Sequence, residues 1–236
     1  MLRVVKDLDV VDVVDVATSR ASGTTRTLFL ALLFATPAYA QDTDATLARA
    51  QRAYDAMRTL RAEFTQTLGN PMLGAPERSR GTMFLAPPGR FAMRFTDPAG
   101  DRIVADGEWM WIYAPSSVPN QVIRQLIPYA GATTPNLFQQ FVDQPLTRYT
   151  AAYVRADSVA GEPVDVVRLM PRRPGLAFRQ ATLAVARRDG WPRQLILVEE
   201  SGQLREFVFH ELRANESIPP AELTFSVPRG VKIVTP

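Results

Sequence analysis

The 236-residue sequence contains no cysteine and a single histidine, His210. The lack of cysteine excludes disulfides, thiol nucleophiles, zinc–thiolate sites, iron–sulfur clusters and a lipid-modified N-terminal cysteine. A serine triad would need His210, and no G-x-S-x-G elbow supplies the nucleophile. No carboxylate cluster stands at a spacing that would join one histidine around a metal. There is no G-x-x-x-x-G-K-[ST] loop and no G-x-G-x-x-G after a strand, so no means of using ATP or a dinucleotide is visible. No cofactor is expected, and the chain does not read as an enzyme. Lysine is scarce too. The cationic residues are nearly all arginine, and the net charge is only +3, with a pI near 9.5. The pairs Arg172–Arg173 and Arg187–Arg188 precede Pro174 and Asp189. They read as hairpin-end decoration rather than a nucleic-acid patch. Asp97, Asp101 and Asp106 lie in "DPAGDRIVADG". Paired carboxylates can act as acid and base. Their Pro and Gly neighbours instead suggest turns in which Asp bonds the local backbone.

What is present is globular material: 46% hydrophobic and 22% charged residues, enough for one sizeable core. The N-terminus carries a targeting signal. In "RTLFLALLFATPAYAQD", Arg26 precedes an apolar run from Leu28 to Ala35, followed by Ala38-Tyr39-Ala40. That is the order of a secretory signal, with cleavage expected before Gln41. The run falls well short of the roughly 20 residues of a membrane-spanning helix. Upstream, Asp7, Asp9, Asp12 and Asp15 do not suit a basic leader, so translation is expected to begin nearer the signal. The division expected is residues 1–40 as extension plus signal, and 41–236 as one exported, soluble domain.

Within 41–236 the apolar period changes once. Leu47, Ala50, Tyr54 and Met57 recur at three- and four-residue steps, which predicts a helix from Asp44 to about Leu60, capped by Thr43 or Asp44. Then the period becomes two. "RAEFTQTL", "RGTMFLAP", "RFAMRFTDP", "DRIVAD", "EWMWIYA", "LTRYTAAYVR", "PVDVVRLM", "AFRQATLAVAR", "RQLILVEE", "LREFVFHEL" and "ELTFSVP" all read as strands. Asp106-Gly107, Asp189-Gly190 and Ser201-Gly202 mark hairpin turns between them. This describes a large antiparallel meander. A second helix is expected in "TTPNLFQQFVD", with Thr134 as N-cap and Pro135 at the first helical position.

One stretch is apolar on both faces. In "EWMWIYA", Trp109, Trp111 and Tyr113 share one face, and Met110 and Ile112 the other. A one-sided antiparallel sheet alternates apolar with polar. Either protein covers both faces, or one face meets something that comes and goes. The preceding hairpin is rich in Met and Phe (Met83, Leu85, Phe91, Met93, Phe95), and Met adapts to irregular or exchangeable partners. An ordinary sheet core remains the plainer reading from composition alone.

The order of these segments resembles the LolA family of periplasmic lipoprotein carriers. Its pattern is met by Phe64 and Gln66, Gly81, Pro88 and Phe91, Asp106 and Gly107, Trp111 and Tyr113, Pro115, Thr134-Pro135, and the closing "FSVPRGVKIV". The resemblance implies a mainly β fold with a few helices (α+β). Its form would be an incomplete antiparallel β-barrel, with helices as a lid over a hydrophobic cavity. It implies a monomeric periplasmic chaperone with no nucleic-acid partner. That chaperone binds the acyl chains of lipoproteins, receives them from an inner-membrane ABC transporter and delivers them to an outer-membrane acceptor. With that role, the residues expected to bind the lipid are Met83, Leu85, Phe91, Met93, Phe95, Trp111, Leu137, Phe138 and Phe141. A lipid- or lipoprotein-sensing regulatory module of the same fold is the alternative. One position departs from the pattern. The family's lid-bonding arginine before the Pro of P-x-x-F is here Pro87, with Arg80 or Arg90 as substitutes.

Overall fold

Alternating burial along "LRAEFTQ" sets the frame. Leu60, Ala62, Phe64 and Gln66 turn inward and Arg61, Glu63 and Thr65 outward along strand β1, Leu60–Gly69. In the computed structural model, described for residues 38–69, 74–127 and 136–235, this strand lies in the middle of one sheet. Side chains of residues 38–41 and of Leu137 are outside the description. Residues 1–37, with most of the expected signal segment, and Thr134 and Pro135 lie outside the described residues as well.

On one side of β1 runs a meander of β2 (Glu77–Ala86), β3 (Arg90–Asp97), β4 (Ala99–Asp106), β5 (Trp109–Tyr113) and β6 (Gln121–Leu126). On the other side stand β7 (Tyr149–Val159), β8 (Glu162–Pro171), β9 (Phe178–Ala186), β10 (Pro192–Glu199) and β11 (Leu204–Ala214). With β12 (Lys232–Val234) the order is β12-β6-β5-β4-β3-β2-β1-β11-β10-β9-β8-β7. Neighbours are antiparallel except β12 on β6, and β12 and β7 do not pair, so the barrel stays open. Asp106 shows the turn chemistry expected of it. Its carboxylate accepts from the amides of Glu108 (3.0 Å) and Trp109 (2.8 Å) and from the Trp111 indole (2.8 Å). Burial pushes that carboxyl up, but these three donors outweigh it and hold its pKa below the usual value.

Three elements differ from expectation. Helix α1 spans Ala38–Asp55, so Thr43 and Asp44 lie inside it rather than at its cap. It stops early because Asn215 takes over the backbone beyond it. That residue, in the left-handed region (φ 64°), donates to the Ala56 carbonyl (3.3 Å), accepts from the Arg58 amide (2.7 Å) and bonds the Thr59 carbonyl (2.8 Å). Strand β6 carries no alternation to read, because Arg124 sits over the Trp109 ring, 4.3 Å from its centroid, where an apolar residue would be expected. Finally, "ELTFSVP" is not a strand. A 3-10 turn at Pro220–Glu222 leads into irregular chain crossing the outer face of β2–β6. Its alternation records one-sided burial of Leu223, Phe225 and Val227, without ladder bonding.

Helix α1 lays Leu47 and Ala50 on the concave face of the sheet, and Met57 just beyond its end joins them. Its polar side is fastened by Arg49, which donates to Asp165 on β8 (2.8 Å) and to the Ala186 carbonyl (3.3 Å). Arg187 (2.7 Å) and the Tyr153 hydroxyl (3.3 Å) complete the Asp165 cluster. The helix comes so close to the β9–β10 turn that a Cβ at Gly190 would stand 2.6 Å from the Arg49 carbonyl oxygen. A second helix, α2 (Leu137–Val142), and a single turn, α3 (Pro145–Arg148), follow β6. The cap of α2 is Asn136, not Thr134: its side chain accepts from the Gln139 amide (3.1 Å). No helix among the described residues is long and apolar enough to cross a membrane.

Candidate functional site

Strand register decides which apolar residues share a face. Across β3, β4 and β5, Met93 pairs with Ile103 and Ile103 with Ile112, while Phe91, Ala105 and Met110 form the next row. Both rows face inward. The intervening row, Phe84–Ala92–Val104–Trp111, faces outward. Phe225 stacks on Trp111 at 5.4 Å and tilts against Tyr113 at 5.8 Å, so the C-terminal segment covers this outer aromatic face.

The inner face is only partly covered. A cavity of about 320 Å³ lies on the concave side. One wall is Phe91 and Met93 of β3, Ile103 of β4, and Met110 and Ile112 of β5. The facing wall is Phe178, Leu197 and Phe207 of β9–β11, with Gln140 of α2. Gln66 of β1 lies between the walls, and the Glu199–Arg205 ion pair (2.9 Å) closes one end. This size and apolar lining suit a small-molecule or acyl-chain ligand.

The helix that bounds this space, α2, is tied to α1 and to the sheet. Asn136 donates to the Tyr54 hydroxyl (3.4 Å), joining α2 to α1. Burial, reinforced by the Asp143 charge, pushes the Tyr54 pKa up to about 12. Arg148 donates to the carbonyls of Gln139 (2.9 Å) and Asp143, satisfying groups that the end of α2 leaves open. Gln140 hydrogen-bonds the Tyr149 side chain, whose pKa is raised chiefly by burial.

A family model described as outer membrane lipoprotein carrier protein LolA matches residues 55–226. The chain belongs to the LolA family. An outer-membrane lipoprotein carrier protein of Pseudomonas aeruginosa is 26% identical over 211 residues, covering 89% of this chain and 97% of that relative. One from Chromobacterium violaceum is 27% identical over 180 residues, covering 75% and 82%. Among solved structures, an uncharacterized conserved protein from Thermus thermophilus superposes with a TM-score of 0.52. It shares 10% identity and covers 82% of this chain and 98% of that one, a likeness of fold alone.

The residues expected to bind lipid are distributed unevenly in the structure. Phe91 and Met93 line the cavity. Met83 and Leu85 are fully buried in the core beneath it, and Phe95 packs edge-on to Phe64 at 5.3 Å. Phe138 lies against Phe209 (5.0 Å) and Trp191 (6.0 Å), and Phe141 against Tyr149 (5.8 Å) and Phe178 (5.3 Å). These two anchor α2 instead of lining the open space. The Leu137 side chain is outside the description. Trp111 does not belong to the cavity, because register sends it to the outer face. Ile103, Met110, Ile112, Phe178, Leu197 and Phe207 were missed. For the first three, counting register outward from the Asp106-Gly107 turn would have found them once Phe91 and Met93 were chosen.

Among the described residues, neither Arg80 nor Arg90 bonds the backbone of a helix. Arg80 faces Asp97 at 3.8 Å on the surface, and Arg90 is exposed. The arginine that bonds the backbone of α2 is Arg148.

Proposed function

We propose that this protein is a periplasmic carrier of lipoproteins. It takes their acyl chains into the concave cavity, receives them from an inner-membrane ABC transporter and delivers them to an outer-membrane acceptor. The observation that carries this reading is the apolar cavity of about 320 Å³ between the sheet and α2. Membership of the LolA family supports it.

The energetics suit a hand-over. A 16-carbon chain gains on the order of 12 kcal/mol on leaving water, at about 0.8 kcal/mol per methylene. Leaving a bilayer gains little, since the chain is already buried there. Loading therefore draws on an ATPase outside this protein, and unloading on an acceptor that holds the chains better.

The test uses protein purified from a periplasm and native mass spectrometry. A triacylated lipoprotein is expected to co-purify. Ile112 is only half-buried, so Ile112→Glu places a carboxylate in the cavity with limited damage to the core. That variant is expected to fold, by circular dichroism, and to come out empty. An empty wild-type protein, or a lipid-loaded Ile112→Glu, overturns the proposal.

A further inference from the structure

One polar side chain stands where an acyl cavity would gain most from a hydrocarbon. Gln66 is 7% exposed, on the central strand β1, directly opposite Phe207 of β11 and two residues beyond the buried Phe64. Its side-chain amide has no hydrogen-bond partner among the described residues, and its polar atoms are not sealed inside the protein. They open into the cavity that Gln66 lines.

An unpaired amide in apolar surroundings is unfavourable unless water or a ligand satisfies it. A purely hydrocarbon guest would make matters worse, because it would expel the water and offer nothing in return. Leucine would serve such a guest better. A guest that brings a carbonyl oxygen reverses the balance, since the amide N–H then has an acceptor inside a dry site.

The surroundings give this contact a direction. Beyond Gln66 on one side stands the wholly apolar wall of Phe91, Met93, Ile103 and Ile112. On the other side, Leu68 of β1 pairs with Arg205, so the Glu199–Arg205 ion pair lies one inward-facing step away. Both members of that pair are partly open to solvent. Gln66 thus sits at the boundary between an apolar end and a charged rim. Building on the carrier reading, the geometry points to Gln66 as the residue that recognises the acyl carbonyl of a lipid linkage. The Gln66 side-chain N–H donates to the carbonyl oxygen, the alkyl tail runs toward β3–β5, and the polar end of the lipid faces Glu199 and Arg205.

The probes are a dipalmitoyl glyceryl diester and the diether of the same chain length, which lacks only the carbonyls. Their affinities for the mature protein are compared by displacement of a fluorescent fatty acid. The wild type is expected to prefer the diester by roughly fivefold, the scale of one net hydrogen bond. In Gln66→Leu the preference falls to about one, with diether binding unchanged or tighter, as expected when an unpaired buried donor is removed. Equal affinities in the wild type, or a preference that survives Gln66→Leu, overturn the assignment while leaving the carrier reading intact. Binding of neither lipid removes the carrier reading, and the assignment with it. A second measurement needs no variant. Isotope-edited infrared spectra of the bound carbonyl-labelled diester should show the stretch lowered from its position in alkane. An unshifted band overturns the assignment.

Discussion

Asp165 shows how one residue fixes the placing of a helix. Its carboxylate, largely enclosed, receives Arg49 from α1 and Arg187 from the β9–β10 side. Burial alone would raise its pKa, but the two guanidinium groups outweigh burial and hold it below the usual carboxylate value. A carboxylate depressed in the folded state contributes stability that is complete above its unfolded pKa, near 3.9, and is lost as pH falls through the folded value. Asp165→Asn is expected to cost about 1–2 kcal/mol at neutral pH, since both arginines keep access to water. Urea denaturation followed against pH should show a smaller fall in stability below pH 4 for Asp165→Asn than for the wild type. At this scale the sequence conveyed little. Asp165 lies 116 positions from Arg49, and neither local spacing nor charge pattern joins them.

At the scale of elements, hairpins were legible and crossings were not. Asp106-Gly107 and Asp189-Gly190 carry their own instructions in the turn, so the strands flanking them were apparent. The segment at 222–228 alternates like a strand because alternation reports which side is buried, not which backbone groups are paired. The same fact misplaced Trp111. "WMWIY" is apolar on both faces, and only its row with Val104 and Ala92, covered by Phe225, shows that the tryptophans look out. The two faces are expected to respond differently to mutation. Phe225→Ala removes a ring stacked on Trp111 and should lower stability by about 2 kcal/mol in chemical denaturation. Acyl-chain affinity, measured on the same preparation, should stay within about twofold, because the stacked ring stands on the face away from the cavity. A large loss of affinity would mean that the faces are coupled.

For the whole molecule, the order of segments carried more than any motif did. The mainly β composition, the helix ahead of the meander and the interrupting α2 all followed from changes of period at Leu60 and near Leu137. The cavity did not, because an empty space is a property of how two strand rows and a helix fail to fill the interval between them. Gln66 was visible only as part of a pattern, with nothing in the sequence to mark its amide as unpaired. The expected cleavage before Gln41 falls inside α1, three residues after its start at Ala38. Intact-mass measurement of the exported protein is expected to give a chain beginning at Gln41, still retaining Leu47, Ala50 and Met57. A start further along, past Leu47, would remove a buried residue by which the helix joins the core.

The tail of the chain gives the sheet an uneven stiffness. From Asn215 it crosses the back of β2–β5, is held at Arg94 by Glu222 (3.1 Å), and ends by pairing Lys232–Val234 alongside β6. It works as a belt buckled to the outermost slat of that half, so those slats resist uncurling. The opposite half is held differently, through helix α1 and its Arg49–Asp165 pair (2.8 Å).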